Sequence, residues 1–383
     1  MSDRTDNDSY ESQIRTIMDR AGMVSHTPAA VMLVEQAIAI ADSHQDAHKG
    51  FELRREMIEE ACFTGQPDRM IVAFSWCLAL CDRDPDNFHD EDILWQYKWV
   101  LNNLTGFPQI SRAQIEEMTR DMMARFEKAG AGNRAVFKIR RDMAMVMGDL
   151  DEAAAFHEKY LHTKRDHLSD CKACETDSTV TWLKQHGEYE ACIKAARPIT
   201  AGRESCAEVP HRTYPELLIV LVRLGDVRTA MDYHVRGYRM IARSSDFTEQ
   251  FGEHAVFLGM TENLPRAFRT IEKHFPLAWG SPVPSWQFTY WLSTAYVLER
   301  LRDTGRTSIK MRLPSTFPVA ANAPDGGYLL DDLIGWFRGE LTRIAELYNA
   351  RNGNDYFTRR IAYIDDWKTL TTPLTYPKTG KDE

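Results

Sequence analysis

Gly148-Asp149-Leu150-Asp151-Glu152-Ala153, Gly187-Glu188-Tyr189-Glu190-Ala191-Cys192 and Gly225-Asp226-Val227-Arg228-Thr229-Ala230 repeat one arrangement. Each places a glycine first, a large apolar residue two positions later and a small residue five positions later. Glu262-Asn263-Leu264-Pro265-Arg266-Ala267 is a degenerate fourth copy, with Glu at the glycine position. A glycine there reaches the left-handed conformation that ends a helix. The apolar residue is expected to pack under the turn, and the small residue lets the second helix lie close to the first. The arrangement therefore predicts a helical hairpin, written several times over.

The same punctuation extends outward. Gly65, Gly106, Gly148, Gly187, Gly225 and Glu262 follow one another at intervals of about 40 residues, a period of stacked helical units. A single hairpin cannot bury its apolar stripe, so it stacks on the next. Ahead of the series, Ala29 to Ala41 is composed of strong helix formers, and Thr27-Pro28 supplies an N-cap followed by proline at the first helical position. The expected fold is all-α, a right-handed α-solenoid with a C-terminal helical segment that contains a short extended insertion.

Between roughly Ser43 and Phe275 the pattern resembles the tetratricopeptide repeat family, best in the three copies quoted. These repeats are longer than that family's usual length of about 34 residues, and the Trp and Pro landmarks are mostly missing. The resemblance implies stacked hairpins and a protein- or peptide-binding role. The later repeats are also similar to a group of bacterial repeat proteins with a paired-cysteine segment before one hairpin and a Cys-Ala-Glu-x-Pro segment after it, here Cys171-Lys172-Ala173-Cys174 and Cys206-Ala207-Glu208-Val209-Pro210. That likeness implies no activity.

Composition divides the chain into a solvated tail at 1–10, helical repeats over 11–275, a C-terminal helical segment over 281–370 and a flexible tail over 371–383. Phe275-Pro276, Ser281-Pro282 and Val283-Pro284 mark the internal boundary. Helices are expected over Trp286 to Leu301 and Leu329 to Tyr348, with Ser308 to Leu313 extended between them. Gly353 is expected to cap the last long helix.

The 383 residues carry a net charge of −9, which argues against a nucleic-acid partner. No run of about 18 apolar residues offers a membrane span. The stretch from Met1 to Glu11 lacks the basic-then-apolar pattern of a secretory signal, and seven cysteines do not form a disulfide framework; both features point to the cytoplasm.

Cys171, Cys174, Cys206 and His211 form the constellation with the most chemistry, Cys-x2-Cys-x31-Cys-x4-His. Cys171 and Cys206 are 35 residues apart, close to one repeat, so their loops should stack on one edge. Three thiolates and an imidazole make a structural zinc site. His167 and His254 compete with His211 for the fourth position. The alternatives are unligated thiols at helix starts and a redox pair, Cys171 with Cys174. Cys62, Cys77, Cys81 and Cys192 fall on apolar stripes and read as core.

His157, His234 and His274 occupy related places in successive second helices, and read as half-exposed positions without a shared role or as one titrating face. Trp286, Tyr290, Trp291 and Tyr296 read as core packing, or else as an aromatic groove for a peptide. Nucleotide-binding and hydrolase signatures are absent from the sequence. The expected function is a non-enzymatic scaffold for a protein or peptide partner. The alternatives are a ligand-responsive regulator and an enzyme with its site in 307–331, where Arg312, Asp325 and Asp331 supply polar groups.

Overall fold

The computed structural model describes residues 3–377; Met1, Ser2 and 378–383, the outermost parts of both expected tails, lie outside it. Among the described residues the fold is all-α apart from one two-stranded ribbon, and the chain divides into two compact units, Met1–Ser169 and Asp170–Glu383. Among the described residues no helix is long and apolar enough to cross a membrane.

The first unit contains α1 (Asp3–Gly22), α2 (Pro28–Ser43), α3 (Ala47–Cys62), α4 (Pro67–Arg83), α5 (Leu94–Leu104), α6 (Arg112–Lys128), α7 (Asn133–Met147) and α8 (Leu150–His162). Thr27 caps α2 through its side chain, which accepts from Ala30 N, with Pro28 at the first position. Neighbours pair along the chain, α1 with α2, α3 with α4, and α7 with α8. Their shared core is built on Ile58, Phe74, Tyr97, Phe126 and Val136. Helix α1 already includes residues from Asp3, where a solvated tail was expected.

The second unit contains α9 (Lys172–Gln185), α10 (Tyr189–Thr200), α11 (Thr213–Arg223), α12 (Val227–Ile241), α13 (Thr248–Met260), α14 (Leu264–Trp279) and α15 (Pro284–Asp303). Strands β1 (Ser308–Ile309) and β2 (Tyr328–Leu329) then pair antiparallel, Ser308 opposite Leu329. Helices α16 (Leu330–Asn352), α17 (Tyr356–Ile361) and α18 (Tyr363–Thr369) close the unit. The hairpins α9–α10, α11–α12 and α13–α14 follow in sequence, and the first helix of each also packs on the next: α9 on α11, α11 on α13, α13 on α15. Phe251, Phe275, Trp291, Tyr296, Phe337 and Tyr348 share one core, so the proline-marked stretch at 275–284 lies inside this unit.

The turns follow the sequence motif with instructive departures. Gly65, Gly148, Gly187 and Gly225 have φ of 71, 83, 73 and 78°, and Glu262 adopts 60° without being glycine. Gln45, at φ 57°, makes an equivalent turn that the glycine count passes over. Gly106 is not among the positive-φ residues, so that boundary is a different kind of turn. The small residues Ala153, Cys192, Ala230 and Ala267 are fully buried, as close helix approach requires. Leu150, expected under its turn, is 46% exposed, whereas Val227 and Leu264 are buried.

The C-terminal stretch departs from the expected fraying. Thr372 N donates to Met260 O at 2.8 Å and Leu374 N to Thr261 O at 3.2 Å. Asn263 Nδ2 donates to Leu374 O at 2.9 Å. A helix leaves its last carbonyls without internal partners, and this strap supplies donors to the end of α13.

Candidate metal centre and polar face

Cys171 is the N-cap of α9, with extended backbone, and its sulfur accepts from Cys174 N at 3.4 Å. Cys174 follows on the first turn. Cys206 comes from the loop between α10 and α11, where its own N–H donates to Val209 O at 2.9 Å. Buried Ala173, Ile199 and Val209 form an apolar seat against which Cys174 and Cys206 pack. Thr176 Oγ1, donating to Glu204 Oε2 at 2.7 Å, ties the same loop to α9.

The three sulfurs lie within 4.8 Å of one another, and Cys174 Sγ is 3.3 Å from Cys206 Sγ. A tetrahedral zinc ion with Zn–S of about 2.3 Å holds its sulfurs roughly 3.8 Å apart, so the observed spacing brackets what one ion needs. The hydrogen bond from Cys174 pulls the Cys206 thiol down to about 6 against its own burial, and the backbone N–H groups of Glu208 and Val209 reinforce the shift. The same bond, with burial, pushes Cys174 up. The shared hydrogen bond thus favours the thiolate at Cys206, and the thiolate is the form that binds a cation.

His211 falls outside this set of sulfurs. Its ring stacks on Phe247 with centroids 5.6 Å apart, and its buried Nδ1 has no hydrogen-bond partner. Burial lowers its basicity, with Glu208 opposing. His167 belongs to the first unit. His254 is committed to another cluster. Cys77, Cys81 and Cys192 are buried as core residues, and burial pushes their thiols up to about 12, 11 and 12; Cys62 is half-buried.

The histidines are arranged differently from the expectation. His234 and His274 are 2% and 4% exposed, while His157 lies in the first unit, 3.3 Å from Arg141 Nη1. The unanticipated member is His254, fully buried on α13, whose Nδ1 is 3.0 Å from His234 Nδ1. One of these nitrogens must carry the proton. His254 Nε2 is buried without a partner, and an orphaned lone pair costs less than an orphaned N–H. His254 is therefore assigned the Nδ1–H tautomer, donating to His234. His274 Nε2 meets Tyr238 Oη at 3.0 Å, and its ring stacks on Phe251 at 3.5 Å. Tyr376 of the strap meets the His234 ring edge-on at 5.9 Å, under the Arg266 guanidinium.

A polar face runs along the stacked first helices. Thr181 Oγ1 donates to the Glu216 carboxylate at 2.8 and 3.0 Å. Lys184 Nζ sits 3.7 Å from both Glu216 and Glu253, and Thr213 donates to Asp177. Glu253 Oε2 has no partner, and burial pushes its carboxyl up to about 7 despite Lys184. Thr213 is fully buried, whereas Asp177, Thr181, Lys184, Glu216 and Glu253 are half-open to solvent. No sequence motif marks them, because they are spread over three hairpins, three on α9, two on α11 and one on α13.

The enzyme candidates in 307–331 are each engaged separately. Arg312 pairs with Glu272 at 3.1 Å, Asp325 accepts from Gly327 N at 3.0 Å, and Asp331 pairs with Arg302 at 3.2 Å. Tyr290, Trp291 and Tyr296 are buried, with Tyr290 Oη donating to Ile271 O at 2.7 Å, which is the core reading of that aromatic run. Compared with models of known protein families the chain matches none, and it matches no curated protein.

Proposed function

We propose that this chain is a non-enzymatic helical-repeat scaffold, a tetratricopeptide-like solenoid, that binds a protein or peptide partner, with a zinc clip at Cys171, Cys174 and Cys206. The observation that carries the binding role is the polar face shared by α9, α11 and α13. Consecutive first helices place Asp177, Thr181, Lys184, Glu216 and Glu253 in one half-open row, with one carboxylate oxygen left unpartnered. A packed core would exclude such groups or satisfy them fully. A stacked repeat offers this kind of extended face for recognition.

The clip joins the start of α9 to the α10–α11 loop across the apolar seat of Ala173, Ile199 and Val209. The metal would be held by the three sulfurs. Its fourth ligand is either His211, after its ring turns away from Phe247, or a solvent molecule.

Native mass spectrometry on protein purified gently from its own host tests both parts. One zinc per chain, lost in Cys206→Ser, supports the clip; His211→Gln retaining zinc makes the fourth ligand solvent. A metal-free wild-type chain overturns the clip. A co-purifying chain lost in a folded Glu216→Gln/Glu253→Gln variant supports the binding face, and one retained by that variant overturns it.

A further inference from the structure

We propose that Cys174 and Cys206 are a peroxide-sensitive pair, and that their disulfide replaces the metal as the clip between α9 and the α10–α11 loop. This rests on the reading that the three cysteines hold zinc. The carrying observation is the 3.3 Å contact between two sulfurs that come from different elements, 32 residues apart, and share one apolar seat. Bond formation needs the sulfurs to close from 3.3 Å to about 2.05 Å. Cys171 is placed differently. It is exposed, it serves as the helix cap through Cys174 N, and it lies within the same helical turn as Cys174.

The step balances with hydrogen peroxide as oxidant. The Cys206 thiolate attacks one peroxide oxygen, the O–O bond breaks, and a sulfenic acid forms with release of hydroxide. The Cys174 thiolate then attacks that sulfenic sulfur, the S–O bond breaks, and a second hydroxide leaves; both hydroxides take a proton from solvent and become water. Each sulfur gives up one electron and the peroxide takes two. Two of the three metal-binding sulfurs are consumed, so the ion dissociates and Cys171 remains as an exposed single thiol. The structural consequence is limited, because metal and disulfide close the same loop. The other buried thiols, Cys77, Cys81 and Cys192, lie in apolar cores out of peroxide's reach.

The test treats the zinc-loaded full-length protein with stoichiometric hydrogen peroxide. A colorimetric chelator follows the metal, and non-reducing peptide mapping follows the thiols. The expected result is one equivalent of zinc released, a crosslink joining the Cys174 and Cys206 peptides, and alkylation at Cys171 that appears only after oxidation. The same crosslink is expected in Cys171→Ser. A crosslink through Cys171, or zinc release with sulfinic acids and no crosslink, overturns the proposal. A chain that carries no zinc before peroxide overturns the metal reading instead, and the crosslink map on that sample judges the pairing by itself.

Discussion

Acidification should weaken the second unit through its buried histidines, and the effect can be isolated at His274. Burial holds His234 and His274 down to about 3, from an ordinary 6.5, with Arg266 and Lys273 contributing. His254 is lowered in the same sense. A histidine kept neutral by the fold binds its proton only on unfolding. Its contribution is therefore complete above pH 6.5 and is lost progressively as pH falls toward 3. At pH 5 the unfolded chain gains about 2 kcal/mol from each such histidine, against a total stability of order 5–15 kcal/mol. Asp246 and Glu253 act the other way, since burial pushes both up to about 7 and the fold takes up their protons over the same interval. The wild-type curve alone is thus flattened. Comparison with His274→Gln, which can still accept from Tyr238, removes the carboxylates from the difference. Hydrogen exchange of peptides from α12 to α14, at pH 7.5 and 5 in moderate urea, should show the change in opening free energy less acid-destabilising by about 2 kcal/mol in the variant. The same pH dependence in both proteins would refute the argument.

The turns give a paired test. Glu262→Gly should stabilise by up to about 1 kcal/mol by relieving a left-handed non-glycine, and Gly225→Ala should cost about as much although its Cβ would meet nothing within 4 Å; urea midpoints read both. Gly252→Ala should cost about 1–3 kcal/mol, because its Cβ would lie 2.6 Å from Ser293 Oγ between α13 and α15; an unchanged midpoint would mean that this contact relaxes freely. Deleting residues after Leu370 should lower stability by about 2 kcal/mol through loss of Leu374 and Tyr376 packing and of the donors to Met260 and Thr261; thermal melts of the truncated chain check it.

What the amino-acid order determined is local. A glycine at a helix end, an apolar residue two on and a small residue five on specify a hairpin, because the left-handed turn and the close approach are decided within a few residues. That is why the turns at Gly148, Gly187 and Gly225 were legible from glycine and the one at Glu262 only from the Leu264 and Ala267 that follow it, while the turn at Gln45 went unmarked. The cysteine convergence was legible for a related reason, since the segments before α9 and after α10 lie at the same end of one hairpin. Tertiary structure decided the rest. Whether His211 faces the sulfurs or Phe247 is a matter of ring packing between elements. The histidine cluster needs α12, α13 and α14 to meet, and His254 sits on a first helix where no repeat position links it to His234. Residues 371–377 read as unstructured because Pro373 and Pro377 give them no helix of their own. They are held because the end of α13 presents carbonyls that need donors, and only the assembled unit brings those donors there.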